Sequence, residues 1–287
     1  MKPDIKYILI LLAIILSRNP KSYAETWYTL VSGNWDSASI WTLDPAGMLV
    51  DNPNNYTPTT SPTSATDDVV ILSGRYVTVS SNTKTNNILT VTGSLDFTST
   101  TGHSFSEIRG SGKIYLAGDN FPAGTATHFI TEGQGEGTVI HYGTGNSLNT
   151  ARTFYHVEVD LDNSTDVLTL IADYQINGNL TLTQGVFRMN DNSSTTKLNL
   201  DVEGDVDVSS NASISVGTAN ATEGSPTYYH QYYHEFTIGG DFISYGEIRL
   251  TNQTVPDYDS RTNTGAVSLI FTGTSNNVFY SSERGDL

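Results

Sequence analysis

The chain has 287 residues, no cysteine, and 30 acidic against 14 basic residues, for a formal net charge of −16 at pH 7. This negative balance argues against a nucleic-acid-binding protein, because contacts to a phosphate backbone need clustered Lys and Arg side chains. The absence of cysteine excludes a disulfide framework, and in a secreted chain it favours a bacterial source.

Residues 1–24 predict a secretory signal peptide. Lys2 and Lys6 form a basic start, residues 7–16 are an unbroken apolar run, and residues 22–24 place Ser and Ala at the third and first positions before a cleavage site. The apolar run is shorter than the ~20 residues that a membrane-spanning helix needs. An uncleaved membrane anchor is the alternative. We expect a secreted or outer-surface protein without a transmembrane segment after signal cleavage.

Residues 25–66 differ in composition from the rest and predict a loop-rich N-terminal cap. Such a cap would cover the first coil of a repeat structure, whose open end exposes unpaired strand edges. No comparable change marks the other end, so we expect the chain to begin a longer protein or to be a truncated gene product. The cap segment holds every tryptophan and four of the prolines: Trp27, Trp35, Trp41, Pro45, Pro53, Pro58 and Pro62.

A motif of Gly, any residue, apolar, any residue, apolar recurs after residue 67. Glycine permits a sharp turn, and the alternation buries one face of a short strand. Neighbouring copies begin at Gly93 and Gly112, and further along the chain at Gly178 and Gly204. A strand-turn unit that recurs at such short intervals cannot bury its apolar face alone, so successive copies should stack. The complete copies are 93–97, 112–116, 178–182, 204–208 and 246–250, and one starting at Gly240 fails at Ser244.

Residues 67–287 therefore predict an all-β fold, a right-handed parallel β-helix. An antiparallel sandwich is the alternative, since it also has short, regularly spaced strands. Tight Asn-Gly or Asp-Gly hairpin turns are rare, however, and Asn177-Gly178 is the only such dipeptide in the chain. The predicted strands are 69–72, 77–79, 89–91, 157–161, 167–171, 198–202, 214–216, 236–238 and 267–271.

Several segments resemble secreted and cell-surface β-helix proteins of Bacteroidetes-type bacteria. Residues 33–41 (GNWDSASIW) are similar to the Trp-containing opening of many such proteins. Residues 62–71, 74–79 and 89–95 follow the order of the extracellular eight-glycine β-helix domain: proline, aspartate, strand, glycine, strand, then Gly-x-Leu. The resemblance implies export by the general secretory route, often followed by type IX secretion. It transfers no catalytic residue.

An alternating run of carboxylates is the first candidate site. Asp201, Glu203, Asp205 and Asp207 alternate with valines and glycine, so one strand would place them all on its outer face. Repulsion at this density suggests a Ca²⁺ site with hard oxygen ligands. The alternative is a solvated strand face whose charge prevents aggregation. A similar row contains Glu158, Asp160 and Asp162.

A tyrosine-rich segment is the second candidate site. Tyr228, Tyr229, Tyr232 and Tyr233 lie between the repeat glycines at 204 and 240, which are farther apart than those at 178 and 204, so an inserted loop is expected. Exposed tyrosine rings stack on sugar rings, and the segment therefore predicts glycan contact. The alternative is a loop packed against the solenoid.

The sequence favours a structural, adhesin-like module that contacts polysaccharides or cell-surface glycans. A polysaccharide lyase or hydrolase is the alternative, because parallel β-helices also carry such enzymes. No catalytic residue is predicted and no cofactor is required, with calcium the one candidate ion. The scattered residues His103, His128, His141 and His156 favour structural roles. A calcium-stabilised spacer without a ligand is a third interpretation.

Overall fold

The chain folds into short strands that stack from one coil to the next. The computed structural model describes residues 24–48, 58, 60–81, 83–125, 129, 136–190, 197–217, 234–251, 265–274 and 277–282. Within these residues the secondary structure is β-strand, apart from turns and a short 3₁₀ segment at Ala38–Ile40.

In chain order, the strands are β1 (Thr26–Thr29), β2 (Gly33–Asn34), β3 (Trp41–Thr42), β4 (Asp68–Ile71), β5 (Tyr76–Thr78), β6 (Thr85–Val91), β7 (Ser94–Asp96), β8 (Ser104–Arg109), β9 (Lys113–Leu116), β10 (Ala123–Thr125), β11 (Thr138–Gly143), β12 (Ser147–Leu148), β13 (Arg152–Phe154), β14 (His156–Leu161), β15 (Val167–Leu170), β16 (Tyr174–Ile176), β17 (Leu180–Met189), β18 (Asn199–Val202), β19 (Val206–Val208), β20 (Ala212–Val216), β21 (His234–Ile238), β22 (Phe242–Ser244), β23 (Glu247–Ile248), β24 (Val267–Phe271) and β25 (Phe279–Ser281).

These strands form three sheets. A six-stranded sheet has the order β10-β8-β6-β4-β1-β3, and a five-stranded sheet has the order β13-β16-β18-β21-β24. The fourteen-stranded sheet has a long arm, β2-β5-β7-β9-β11-β14-β17-β19-β22-β25, and a short arm of β12, β15, β20 and β23. Strand β17 belongs to both arms, and the chain turns at Gly185, whose φ is +102°.

The strand pairing confirms the predicted parallel β-helix. Among the described strands, every pair is parallel except β1 with β3, which excludes an antiparallel sandwich. Each of the nine predicted strands overlaps an observed one. Crossover connections between parallel strands are right-handed in nearly all proteins, and the sequence predicts the same hand for this β-helix.

The register reproduces the predicted coil lengths. Ser94 pairs with Lys113, and Leu180 pairs with Val206. Ser94 and Lys113 are as far apart in the sequence as Gly93 and Gly112. Leu180 and Val206 are likewise as far apart as Gly178 and Gly204. The glycines mark corners where successive coils approach closely. A Cβ at Gly112 would overlap the backbone carbonyl of Gly93, so the corner admits only glycine without a shift.

The core is a column of apolar side chains along the inner face of the long arm. These side chains occupy equivalent register positions in successive coils, and burial of each contributes about 1.5–3 kcal/mol. In the incomplete repeat at Gly240, the side chain of Ser244 takes the inward-facing position. Ser244 is fully buried, and its hydroxyl donates to the Gly246 carbonyl at 2.9 Å. The column consists of Val77, Leu95, Ile114, Val139, Val157, Leu180, Val206 and Phe242.

The strand column begins inside the segment assigned to the cap. Strands β1 and β2 pair in parallel with β4 and β5, so they already belong to the first coil. Strand β3 runs antiparallel to β1 and occupies the free edge of the six-stranded sheet. Trp35 and Trp41 are fully buried here, with ring centroids 5.2 Å apart. The signal-peptide prediction for residues 1–24 lies almost entirely outside the described residues.

Within the described part of the chain, no helix has the length and apolar character needed to cross a membrane.

Candidate functional site

The predicted tyrosine-rich segment directly precedes strand β21 in the sequence. Tyr228, Tyr229, Tyr232 and Tyr233 lie outside the described residues. His234, directly after them, is fully buried at the start of β21, and its Nδ1 accepts the backbone N–H of Leu198 at 3.0 Å.

The predicted carboxylate row is divided between two strands, which corrects the expectation of a single strand. Asp201 lies on β18 in the five-stranded sheet, whereas Asp207 lies on β19 in the long arm. The chain turns between these strands at Glu203 and Gly204, because the glycine corner ends one face and begins the next. Asp201, Glu203, Asp205 and Asp207 are all exposed, as expected. Among the described residues, no group of three or more His, Cys, Asp or Glu side chains is arranged to hold a metal ion.

Asp205 takes part in a series of hydrogen bonds between successive coils. A series of side chains at this corner each accept a backbone N–H from the next coil, and we call His156, Asn179, Asp205 and Asp241 the corner ladder. His156 Nδ1 accepts from Asn179 at 2.9 Å, and Asn179 Oδ1 accepts from Asp205 at 3.0 Å. Asp205 Oδ1 accepts from Asp241 at 2.8 Å, and Asp241 Oδ1 accepts from Val278 at 2.8 Å. The ladder gives a structural role to the polar residues that follow three of the glycines, namely Asn179, Asp205 and Asp241.

Three tyrosines lie side by side on the outer face of the long arm. Tyr76 is on β5, Tyr115 on β9 and Tyr142 on β11, and each is next to an inward-facing buried residue of its strand: Val77, Ile114 and His141. The Tyr115 ring centroid is 5.7 Å from that of Tyr76 and 6.3 Å from that of Tyr142, both in edge-to-face geometry. Asp96 on β7 completes the group. We call Tyr76, Asp96, Tyr115 and Tyr142 the tyrosine platform.

Asp96 fixes two of the rings. The Tyr76 hydroxyl donates to Asp96 Oδ2 at 2.8 Å, and the Tyr142 hydroxyl donates to Oδ1 at 2.9 Å. The backbone N–H of Thr98 also donates to Oδ1, at 2.7 Å. Asp96 is only 6% exposed, so these donors compensate for removing its charge from water.

Burial, followed by the interaction with Asp96, raises the pKa of Tyr76 and of Tyr142 well above the usual tyrosine value. Both hydroxyls therefore remain protonated donors at neutral pH. Tyr76 is 41% exposed, and Tyr115 and Tyr142 are half-buried, so ring surface remains open to solvent. The platform thus offers aromatic surface whose side-chain freedom is already restricted, which lowers the entropy cost of binding.

A polar border adjoins the platform along the same arm. Lys113 Nζ lies 3.6 Å from Glu158 Oε2, and the Thr183 hydroxyl donates to Glu158 Oε1 at 3.2 Å. Asp160 lies two residues further along β14 and is exposed. Burial, then repulsion from Glu158, raises the pKa of Asp160. Charged donors and acceptors therefore lie beside the aromatic surface.

Each histidine among the described residues either accepts a backbone hydrogen bond or is buried inside the coil. His103 Nδ1 accepts the backbone N–H of Lys84 at 3.1 Å, and His156 belongs to the corner ladder. His141 is an inward-facing residue of β11, between Leu116 and Val159 in register. Burial lowers the pKa of His103 and of His141 to about 4. His128 lies outside the described residues.

Sequence reasoning missed the tyrosine platform, although part of its signal was present. Asp96 and Tyr115 occupy the same position of the Gly93 and Gly112 repeats, three residues after each glycine. Aligning those two copies would have predicted that they are neighbours, as their register confirms. Tyr76 and Tyr142 lie outside the recognised copies, so no sequence pattern connects them to Asp96.

The chain matches no known protein-family model, no curated protein and no solved structure.

Proposed function

We propose that this protein is a secreted or cell-surface β-helix of adhesin-like type that contacts glycans. The tyrosine platform is the observation that carries the proposal. Aromatic rings with a polar tip pack against the apolar faces of sugar rings while bordering groups bind hydroxyls. Tyr115 lies at the centre, and its neighbours Tyr76 and Tyr142 are held by Asp96.

The charge of the chain narrows the class of glycan. With a formal net charge of −16, the protein repels phosphate-rich and sulfated polymers at long range. Neutral or amine-bearing glycans are therefore the favoured partners, and nucleic acid is disfavoured.

A glycan-array screen of the purified chain tests the proposal. We expect binding to a subset of neutral or amino-sugar glycans, and we expect Tyr115→Ala to weaken it by ~10-fold because its ring supplies the central contact. Tyr28→Ala is the matched control, since Tyr28 is a half-buried tyrosine on the outer face of β1, in another sheet. Absence of binding at millimolar glycan, or equal losses in both variants, would overturn glycan contact by the platform.

The location is tested separately. The signal-like pattern of residues 1–24 supports export, and we expect N-terminal sequencing of exported protein to begin at Glu25. Protein that stays inside the cell with an intact N-terminus would contradict export.

A further inference from the structure

A second polar surface lies on the outer side of the five-stranded sheet. Neighbouring strands β13, β16 and β18 border a shallow cavity with a volume of about 330 Å³. This volume lies at the lower end of the range for small-molecule sites, which suits a single ring rather than a long chain segment. Its principal lining residues are Arg152, Asp173, Tyr174, Gln175, Asn199 and Asp201.

Some acceptors in this cavity are already engaged. Asp173 Oδ1 accepts the backbone N–H of Asn199 at 2.8 Å, and its Oδ2 accepts the Asn199 amide at 3.4 Å. Asp201 differs, because its carboxylate makes no hydrogen bond or ion pair with any described residue. Asp201 is one strand away from Gln175, its register partner, and is exposed.

Arg152 borders the same cavity on β13, in register with the buried Tyr174. Its Nε lies 3.8 Å from Asp119 Oδ1, which is beyond hydrogen-bond distance, and its Cζ lies 5.9 Å from the Phe121 ring centroid. The Nε atom is buried without a hydrogen-bond partner in the described part of the chain. The two Nη groups likewise have no hydrogen-bond partner among the described residues. The cavity therefore has an available carboxylate on β18 and, two strands away on β13, a guanidinium group that is ion-paired with Asp119 and has no hydrogen-bond partner among the described residues.

We propose that this cavity binds one neutral or amine-bearing sugar ring, an inference that rests on the proposed glycan-contacting function. A sugar ring that lies over β16 has hydroxyls on opposite sides, so that one donates to Asp201 on β18 while another accepts from Arg152 on β13. The cavity lining has two carboxylates, Asp173 and Asp201, and one guanidinium, Arg152, so its net charge is negative. This charge disfavours the binding of uronic acids and sulfated sugars. Tyr174, which is 3% exposed, lies among the lining residues as a largely buried part of the site.

Ligand-observed NMR on the full chain tests this assignment with three probes: methyl α-glucoside, glucosamine and glucuronic acid. We expect contact signals for at least one of the first two and none for glucuronic acid. Asp201→Asn should weaken binding by ~10-fold, because it removes a charged acceptor. Asp207→Asn is the matched control, since Asp207 is an exposed carboxylate of the same coil that lies on a different sheet.

The outcomes separate this site from the platform. Unchanged sugar binding by Asp201→Asn, equal losses in both Asp variants, or glucuronic acid binding as strongly as glucosamine would overturn the cavity assignment. If Tyr115→Ala still reduces array binding, the proposed function stands while the cavity assignment falls. If neither arrays nor monosaccharides show binding, both fail.

Discussion

The Oδ1 atom of Asp205 accepts the backbone N–H of Asp241 at 2.8 Å, from one coil to the next. This bond ties two consecutive glycine corners together. We expect Asp205→Ala to lower the free energy of unfolding by about 1 kcal/mol, because one intercoil hydrogen bond is lost. Asp205→Asn should be close to the parent, since Asn179 performs the same role with an amide oxygen. Urea denaturation measures the change.

Asp207→Ala is the control for that series. Asp207 is two residues away and exposed, and its carboxylate makes no hydrogen bond with the described residues. Burial, then repulsion from Asp205 and Asp241, raises the pKa of Asp207, so removing its charge should leave stability unchanged or slightly increased. Equal destabilisation by Asp205→Ala and Asp207→Ala would contradict the ladder.

Asp96→Asn should loosen the tyrosine platform. One carboxylate oxygen becomes an amide group, so one of the Tyr76 and Tyr142 hydroxyls loses its acceptor, at a cost of about 1–2 kcal/mol. The pKa of the affected tyrosine should fall toward its usual value, which ultraviolet absorbance during an alkaline titration detects. Asp207→Asn, at an exposed position several strands further along the same arm, should leave the titration unchanged. A titration unaltered by Asp96→Asn would refute the assigned role.

Stability should also fall above pH 10. A tyrosine pKa raised on folding stabilises the protein below its unfolded value of about 10, and the contribution is lost as pH rises further. The raised pKa of Tyr76 and of Tyr142 therefore predicts alkaline unfolding. Urea midpoints between pH 9 and 11 measure it, and a flat profile would contradict the prediction.

His141 should make the protein sensitive to acid. Burial lowers its pKa to about 4, so the unfolded chain binds a proton more readily below pH 6.5. Stability should fall as pH drops from 6.5 toward 4, by about 2 kcal/mol at pH 5 from this residue. His141→Leu matches its apolar register neighbours and should lessen this slope, while pH 8 provides the reference condition. Identical slopes in both proteins would exclude His141 as the source.

Gly204→Ala should destabilise a corner by about 2 kcal/mol, because the added Cβ would overlap the Gly178 carbonyl and the Asn179 side chain. Gly118→Ala is the matched control, since a Cβ there meets only ordinary contacts. We expect Gly118→Ala to be neutral or slightly stabilising. Thermal unfolding of both variants checks the difference, and similar melting temperatures would contradict close packing at the corner.

The strands and coil lengths were predictable because they depend on local chemistry. Gly93 and Gly112 provide the turns, and the alternation after each decides which face is buried, so the length of that coil was visible without coordinates. The same reasoning placed Asp201 and Asp207 on one strand, whereas the structure places them on β18 and β19. A glycine followed by alternating residues can continue a strand or turn onto a new face, and only packing against the next coil determines which occurs.

By itself, the sequence determined that this chain forms short, one-sided strands that must stack to bury their apolar faces. Only the tertiary structure decided that Tyr76 and Tyr142, which are distant in sequence, donate to opposite oxygens of Asp96. The physical reason is that coils of unequal length share one column, so lateral neighbours have no constant separation in sequence. Whether a residue is buried follows from its own place in the alternating pattern. Which residues become neighbours on the outer surface depends on the register between coils.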